Sequence, residues 1–112
     1  MKSVNEQIME IMDLHEKKWK RKDGLLAVVG LESKDGSRFY SETNFKTSLP
    51  LSKLLQQRLV DDGWSILMMV YRGGFMMSAW KNSEIGYQTE PGISTEPAAL
   101  FDLFCKCYGI SK

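Results

Sequence analysis

The chain has 112 residues, of which 43% are hydrophobic and 26% charged, and its formal net charge is +1 at neutral pH. This composition is typical of a single soluble globular domain covering residues 1–112. No apolar run approaches the roughly 18 residues of a membrane span, and the N-terminal residues do not fit a secretory signal. The two cysteines, Cys105 and Cys107, are two residues apart on one helix, so they point to nearly opposite sides and cannot bridge each other. We therefore expect free thiols, a cytoplasmic location and no membrane partner.

The first helix is predicted to begin at Ser3. Ser3 and Glu6 fit a capping box, in which each side chain bonds the other residue's backbone N–H group. Apolar or aromatic side chains then recur with helical spacing at Val4, Ile8, Ile11, Met12, His15 and Trp19. We expect this helix to continue to Asp23 and Gly24, which places the basic run of residues 17–22 near the negative end of the helix dipole.

Residues 25–32 and 38–42 predict a first β-hairpin. Both segments are rich in aliphatic or aromatic residues, and Asp35 followed by Gly36 is a strong turn signal between them. Gly30, inside the first of these strands, indicates a bulge or the close approach of another backbone.

Two further helices are predicted from their terminal residues. Ser48 is the expected N-cap of the second helix, which has a leucine-rich buried stripe and ends at Gly63. Ser94 or Thr95 caps the third helix, and a glycine closes it. Residues 83–94 predict a long irregular loop that precedes this helix.

Residues 64–82 are the most apolar part of the chain and predict a central β-hairpin. Gly73 and Gly74 favour a tight two-residue loop, which places Val70 opposite Met77. Both faces of the hairpin are then mostly apolar. We expect it to be covered on both sides, or covered on one side and exposed on the other.

The predicted order of elements is α-β-β-α-β-β-α, with an amphipathic helix before each hairpin. Antiparallel strands with helices packed on them form an α+β domain, here with a four-stranded antiparallel sheet. The two helix–hairpin units form a faint pseudo-repeat.

No residue group predicts catalysis. His15 is the single histidine, and we interpret it as a locally bonded residue at the boundary of the first helix. A nucleophilic pair with Cys105 or Cys107 would require the fold to bring them together, which their spacing does not indicate. These residues are also too few and wrongly spaced for a metal site. Because no nucleotide or cofactor motif is present, we expect a protein that is not an enzyme and has no cofactor.

The basic run is the strongest signal for a charged partner. As a phosphate-binding patch, it would make the protein a nucleic-acid-binding regulator. The near-neutral net charge favours a solvated helix end instead, with Trp19 buried on the apolar stripe, so nucleic-acid binding is the alternative hypothesis. The residues concerned are Lys17, Lys18, Lys20, Arg21 and Lys22.

The central hairpin and the 83–94 loop predict a protein-binding surface. Methionine side chains adapt to partner surfaces as well as to cores, and the hairpin carries two consecutive methionine pairs. A sheet face that the helices leave uncovered becomes an interface, most simply for a homodimer formed by sheet packing or edge pairing. The candidate contact residues are Leu67, Met69, Tyr71, Met76, Ile85, Tyr87 and Ile93.

About half of the chain resembles a known type of viral domain. The segments that carry the likeness are LPLSKLLQQRLVDDGWSILMMV, FMMSAW and GISTEPAALFDLF. They resemble small bacteriophage and prophage domains of the "phage ABA sandwich" type. The resemblance implies a phage accessory protein in the host cytoplasm that binds a host or viral protein complex, as an inhibitor of a host defence system would. It assigns no role to single residues. A profilin-like roadblock arrangement, which dimerises, is a fold-level analogy.

Overall fold

The structure is a computed structural model that describes residues 2–20, 27–82 and 85–110. Its elements in chain order are α1 (Val4–Met12), β1 (Leu14–Lys20), β2 (Ala27–Ser33), β3 (Arg38–Tyr40), α2 (Leu49–Asp61), β4 (Ser65–Tyr71), β5 (Gly74–Lys81), β6 (Ile85–Gln88) and α3 (Glu96–Cys107). Strands β1–β3 form one three-stranded antiparallel sheet, and β4–β6 form a second. The α+β class is confirmed. The order α-β-β-α-β-β-α and the single four-stranded sheet are wrong, because β1 and β6 were not predicted as strands.

Helix α1 begins where the sequence predicts, but it ends at Met12, about ten residues before the predicted end. The backbone N–H of Glu6 donates to Ser3 Oγ at 3.1 Å, which is the Ser3 half of the predicted capping box. Asp13 then adopts the left-handed conformation, with φ 56° and ψ 47°, and its N–H caps the last turn of the helix. Since a left-handed residue cannot continue a right-handed helix, the chain leaves the helix axis there.

The lysine-rich segment after Asp13 is a strand and not the last turns of a helix. Residues 14–20 pair antiparallel with β2 from Leu14 opposite Ser33 to Lys20 opposite Ala27. The backbone groups of β2 form hydrogen bonds with those of residues 14–20. This pairing stabilises the strand more than the helical spacing of the apolar residues stabilises a helix. Strand β1 is at the sheet edge, where lysine side chains remain in water.

The first sheet confirms the predicted meaning of Gly30. A Cβ atom at this position would lie 2.1 Å from the Phe39 carbonyl oxygen, so the backbones of β2 and β3 approach closely only because a glycine is present. The turn at Asp35 and Gly36 is also present, and the N–H of Gly36 donates to the Ser33 carbonyl oxygen at 3.0 Å. The predicted helix end at Asp23 and Gly24 and the strand residues 25–26 lie outside the described residues.

Helices α2 and α3 begin at the predicted caps. The N–H of Leu51 donates to Ser48 Oγ at 3.2 Å, and the N–H of Ala98 donates to Thr95 Oγ1 at 3.3 Å. Each cap satisfies an N–H group that has no partner within its helix. Local chemistry therefore defines both starts.

The hairpin β4–β5 has a different register from the predicted one. Tyr71 lies opposite Gly74 and Val70 opposite Phe75, so the two loop residues are Arg72 and Gly73. The shift moves each partner by two positions, and because side chains alternate with a period of two, every residue keeps its predicted face. Gly74 is needed for another reason, since a Cβ there would lie 2.5 Å from the Ile93 carbonyl oxygen.

Residues 85–88 of the predicted irregular loop form a strand, and Ile93 forms an isolated bridge, with irregular backbone and a turn between them. Strand β6 pairs with β5, and the chain beyond it stays bonded to the same edge of β5. The N–H of Thr89 donates to the Met77 carbonyl oxygen at 2.9 Å, and the N–H of Ile93 donates to the Phe75 carbonyl oxygen at 3.3 Å. One edge of β5 is thus fully used, and β4 occupies the other.

A single core joins both sheets to the helices. On β5, Met77 and Ala79 are each 1% exposed, and they pack in the core with α2 and α3. The other large buried side chains of this core are Ile8, Leu14, Leu31, Phe45, Leu51, Leu55, Leu59, Leu100, Phe101, Leu103 and Phe104. The molecule is elongated, 52 × 30 × 26 Å, because the two sheets are separate and not one continuous layer.

Candidate protein-binding surface

Along β5, helices cover one face of the second sheet and leave the opposite face uncovered. Along β5, Met77 and Ala79 are buried in the core, so the alternate residues Met76, Ser78 and Trp80 point to the opposite side. The register assigns the matching side chains of β4 to that side as well. We call this surface the bare face, and it consists of Ser65, Leu67, Met69, Tyr71, Met76, Ser78 and Trp80.

The bare face is apolar and carries no charged side chain. Leu67 is 51% exposed, Met69 45% and Trp80 42%, which is unusual for large apolar residues next to each other. Its five large side chains present on the order of 400 Å², since fully exposed side chains of this size have about 150–250 Å² each. A patch of roughly 300–600 Å² is the largest that a typical monomer exposes, and such patches are often functional.

Strand β4 also leaves one of its edges open. Its single strand neighbour within the described residues is β5, and Met68 and Val70, which point away from the bare face, are 42% and 65% exposed. Between Ser65 and Tyr71 there is no charged residue. The edge strand β1 is the opposite case, with three lysines in seven residues. Since charged side chains discourage edge pairing, β1 is protected against pairing and β4 is not.

The structure divides the predicted protein-binding residues into two groups. Leu67, Met69, Tyr71 and Met76 come together on the bare face. Tyr87 and Ile93 lie on the other face of the same sheet. The hairpin residues of the predicted set therefore lie on the bare face, whereas Tyr87 and Ile93 of the 83–94 segment do not.

Local contacts account for the residues outside the bare face. Tyr87 pairs with Ala79, and its ring lies 5.8 Å from that of Trp64. Ile93 bridges to Phe75 and lines a cavity of about 380 Å³. Ile85 begins β6, and its side chain is outside the described part of the structure.

Trp80, Met68 and Val70 were missing from the predicted set. Strand alternation was the signal that could have identified Trp80, because it places this residue on the same face as Leu67 in either register. No local sequence pattern indicates that Met68 and Val70 are exposed, because their exposure depends on how much of β4 the helix α2 covers.

The described basic residues do not form a one-sided patch. Alternation along β1 places Lys17 on one face of the first sheet, and Lys18 and Lys20 on the other. Lys17 Nζ donates to Glu32 at 3.1 Å, and this hydrogen bond is the main cause of the lowered pKa of the Glu32 carboxyl. Arg21 and Lys22 lie outside the described residues.

Trp19 lies on a sheet surface and not on the buried stripe of a helix. Its ring centroid is 4.8 Å from that of Tyr40, and the guanidinium of Arg38 lies 5.8 Å from the ring. The Trp19 ring also covers Gly30, with Cζ3 3.1 Å from where a Cβ of that glycine would be. The half-buried ring therefore substitutes for the missing side chain of the glycine.

The environments of His15, Cys105 and Cys107 do not favour a nucleophile–base pair. The side chain of His15 is 76% exposed on β1, with Nε2 3.4 Å from an oxygen of Asp13. Cys105 is buried in α3, and burial raises the pKa of both Cys105 and Cys107 to about 11. Thiols with such pKa values stay protonated and weakly nucleophilic at neutral pH.

Within residues 2–20, 27–82 and 85–110, no cluster of three or more His, Cys, Asp and Glu side chains is arranged to hold a metal ion. No helix in the same described ranges is long and apolar enough to cross a membrane.

The sequence matches no protein-family model, and no curated protein and no solved structure is significantly similar to it. These comparisons neither support nor contradict the resemblance to phage domains.

Proposed function

We propose that the protein is a non-catalytic binding module that holds a protein partner on its bare face. The observation that carries this proposal is the contrast between the two faces of one sheet. Met77 and Ala79 are almost completely buried on one side of β5, whereas Leu67, Met69 and Trp80 are about half exposed on the other side. Apolar surface that the fold leaves in water is stabilised when a partner covers it.

The free energy gained by burying the bare face favours a partner with a matching apolar surface. Burying about 400 Å² at about 25 cal/mol per Å² contributes on the order of 10 kcal/mol from this side of the interface. Association itself costs roughly 4–15 kcal/mol. The bare face alone thus gives weak binding, and a stable complex needs close fit and polar contacts around the rim. Trp80 and Tyr71 are the residue types that most often dominate binding energy in such interfaces.

The partner class in this proposal comes from the resemblance of residues 49–104 to small phage domains. It is a protein of a host or viral complex, for example a host defence system. The module would inhibit that complex by occupying a surface, without chemistry. The adaptable side chains of Met69 and Met76 suit such a target, since they adjust to surfaces that a rigid aromatic patch would not fit.

The test is affinity capture from host lysate with Trp80→Lys as the disabling variant. Trp80 lies on the central strand β5, so a charge there disrupts the bare face and leaves the open edge of β4 intact. Val60→Lys is the matched control, because Val60 is 50% exposed on α2 and is not part of the bare face. Circular dichroism confirms that both variants are folded.

We expect one set of proteins to be captured by the wild type and by Val60→Lys and to be lost with Trp80→Lys. This capture should persist after nuclease treatment and at high salt, since apolar contacts are not screened. Equal capture by Trp80→Lys would overturn the proposal. Capture of nucleic acid alone, lost at high salt, would replace it with the alternative based on Lys17, Lys18 and Lys20.

A further inference from the structure

We propose that two copies of this chain pair through the open edges of their β4 strands, antiparallel and around a two-fold axis at Met68. The product is a continuous six-stranded sheet. This inference goes beyond the proposed function, because it concerns the backbone edge of β4 and a second copy of the chain, whereas partner binding uses the bare face.

The free hydrogen-bonding groups of β4 follow from the bonds that β5 makes on its other side. Phe75 and Ile93 exchange both backbone hydrogen bonds, at 2.8 and 3.3 Å, and the Met77 carbonyl oxygen accepts from Thr89. Phe75 and Met77 therefore direct their backbone groups away from β4. In an antiparallel pair, residues opposite such positions direct their own groups outward as well.

Three residues of β4 thus present unused groups at the open edge. Val70 lies opposite Phe75 and Met68 opposite Met77. Ile66 is two residues before Met68, so its backbone groups point in the same direction. Among the described residues, β5 is the only strand beside β4, so these outward N–H and C=O groups have no ladder partner. Such an edge is a template for another strand.

A two-fold register centred on Met68 uses all of these groups. Met68 then lies opposite Met68 of the second copy, and Ile66 lies opposite Val70. Every outward N–H meets an outward C=O in this register. If the two-fold axis moved by one or two residues along β4, some of these N–H and C=O groups would have no partner. Backbone hydrogen bonding therefore favours the register centred on Met68.

The side chains of the same register are compatible on both faces. Leu67 of one copy lies beside Met69 of the other on the bare face, and the strongly exposed Val70 lies beside Ile66. Leu67 to Tyr71 are five consecutive large residues between 41% and 65% exposed. Together they expose on the order of 400–500 Å² per copy, or about 800–1,000 Å² for two copies, which is at the lower limit for a specific interface.

Charge complementarity favours a second copy over an unrelated strand. An antiparallel two-fold arrangement brings the turn end of β4 in one copy to the α2 end of the other. The turn carries Arg72, which is exposed and has no ion-pair partner among the described residues. The α2 end carries Asp61, which is also exposed, whereas the neighbouring Asp62 already pairs with Arg58 at 3.0 Å. Opposite charges therefore meet at both ends of the shared strand pair.

The first experiment measures the mass of the protein in solution by sedimentation velocity over a range of concentrations. We expect the wild type to be dimeric, and Val70→Lys to weaken the dimer by about tenfold or more. Val70 is 65% exposed, so the fold tolerates lysine there, as β1 tolerates its lysines. The matched control is Leu49→Lys, an apolar residue 48% exposed at the start of α2, which should stay dimeric.

A charge exchange tests the register itself. Arg72→Glu places two negative charges together at each end, and Asp61→Lys places two positive charges there, so each variant alone should dimerise more weakly. Mixing the two should restore the dimer, because both ends then again join opposite charges. A monomeric wild type, or a dimer unaffected by Val70→Lys, would overturn the inference. A mixture that stays monomeric would overturn the Met68-centred register.

The two proposals fail separately. Trp80→Lys should remove the captured protein partner and leave the dimer intact, whereas Val70→Lys should dissociate the dimer while the bare face of each copy persists. Loss of both properties in Trp80→Lys alone would contradict the assignment of the dimer contact to the edge of β4.

Discussion

Gly30 shows how a single residue controls the first sheet. The Phe39 carbonyl oxygen and the Trp19 ring both occupy the space that a side chain at this position would need. Trp19 in turn contacts Tyr40 and lies beside the guanidinium of Arg38, so the space above the glycine holds one aromatic cluster. The glycine thus joins the three strands by leaving room for its neighbours.

Gly30→Ala should therefore destabilise the protein strongly. Its Cβ would lie 2.1 Å from a backbone oxygen that cannot move without separating β2 from β3. We expect a loss of at least about 2 kcal/mol in the free energy of unfolding. Gly86→Ala in β6 is the control, since its Cβ would lie 3.4 Å from the nearest such atom, and it should change stability by about 0.5 kcal/mol or less. Urea unfolding measured by circular dichroism compares the two, and equal effects would contradict this account.

At the scale of the elements, Asp13 decides whether the N-terminal region continues as a helix or becomes a strand. Its left-handed conformation, with φ 56°, ends α1 one residue before β1 begins. Aspartate tolerates this conformation better than most residues that carry a side chain. The change from helix to strand needs no intervening loop, so all of residues 14–20 is available for pairing with β2.

The conformation of Asp13 predicts a difference between two substitutions of similar size. Asp13→Asn keeps a side chain that tolerates positive φ and should leave stability within about 0.5 kcal/mol of the wild type. Asp13→Val introduces a β-branched residue and should lower stability by about 1–2 kcal/mol. Thermal unfolding of the two variants is the measurement. A larger loss for Asp13→Asn would mean that the carboxylate charge, and not the backbone, is what matters here.

At the scale of the whole molecule, a few polar contacts connect α1 to the rest of the chain. Asn5 Nδ2 donates to the Thr43 carbonyl oxygen at 2.7 Å, and the N–H of Phe45 donates to Asn5 Oδ1 at 3.1 Å. Arg58 Nη1 donates to the Ile11 carbonyl oxygen at 2.9 Å. These bonds hold the loop around the buried Phe45 against α1, and they link α1 to α2.

Asn5→Ala should consequently affect the entire fold. It removes two hydrogen bonds to partly buried backbone groups, with an expected loss of about 2–3 kcal/mol. Asn44→Ala is the control, because the Asn44 side chain bonds only the nearby exposed N–H of Lys46 among the described residues, and it should cost less than about 1 kcal/mol. In the wild type, tryptophan fluorescence and circular dichroism should report one unfolding transition. Two separate transitions in the wild type would show that the sheets do not share a cooperative core.

The sequence alone predicted the features that depend on chain neighbours. The caps at Ser3, Ser48 and Thr95 and the turn at Asp35 were predicted correctly, because each involves hydrogen bonds between residues two to four positions apart. The two faces of β4 and β5 were predicted correctly even though the register was wrong. Side-chain alternation is a property of any strand, whatever its partner.

Tertiary structure decided the features that depend on distant residues. Residues 14–20 have helical spacing and few strand-forming side chains, and they become a strand because β2 offers them a hydrogen-bonding edge. The hairpin loop moved to Arg72 and Gly73 because Gly74 must lie against the backbone of Ile93. Likewise, the sequence determined that both faces of the central hairpin are apolar, but only the packing of α2 and α3 decided which face stays in water. Burial depends on contacts between residues far apart in the chain, and a local pattern does not contain that information.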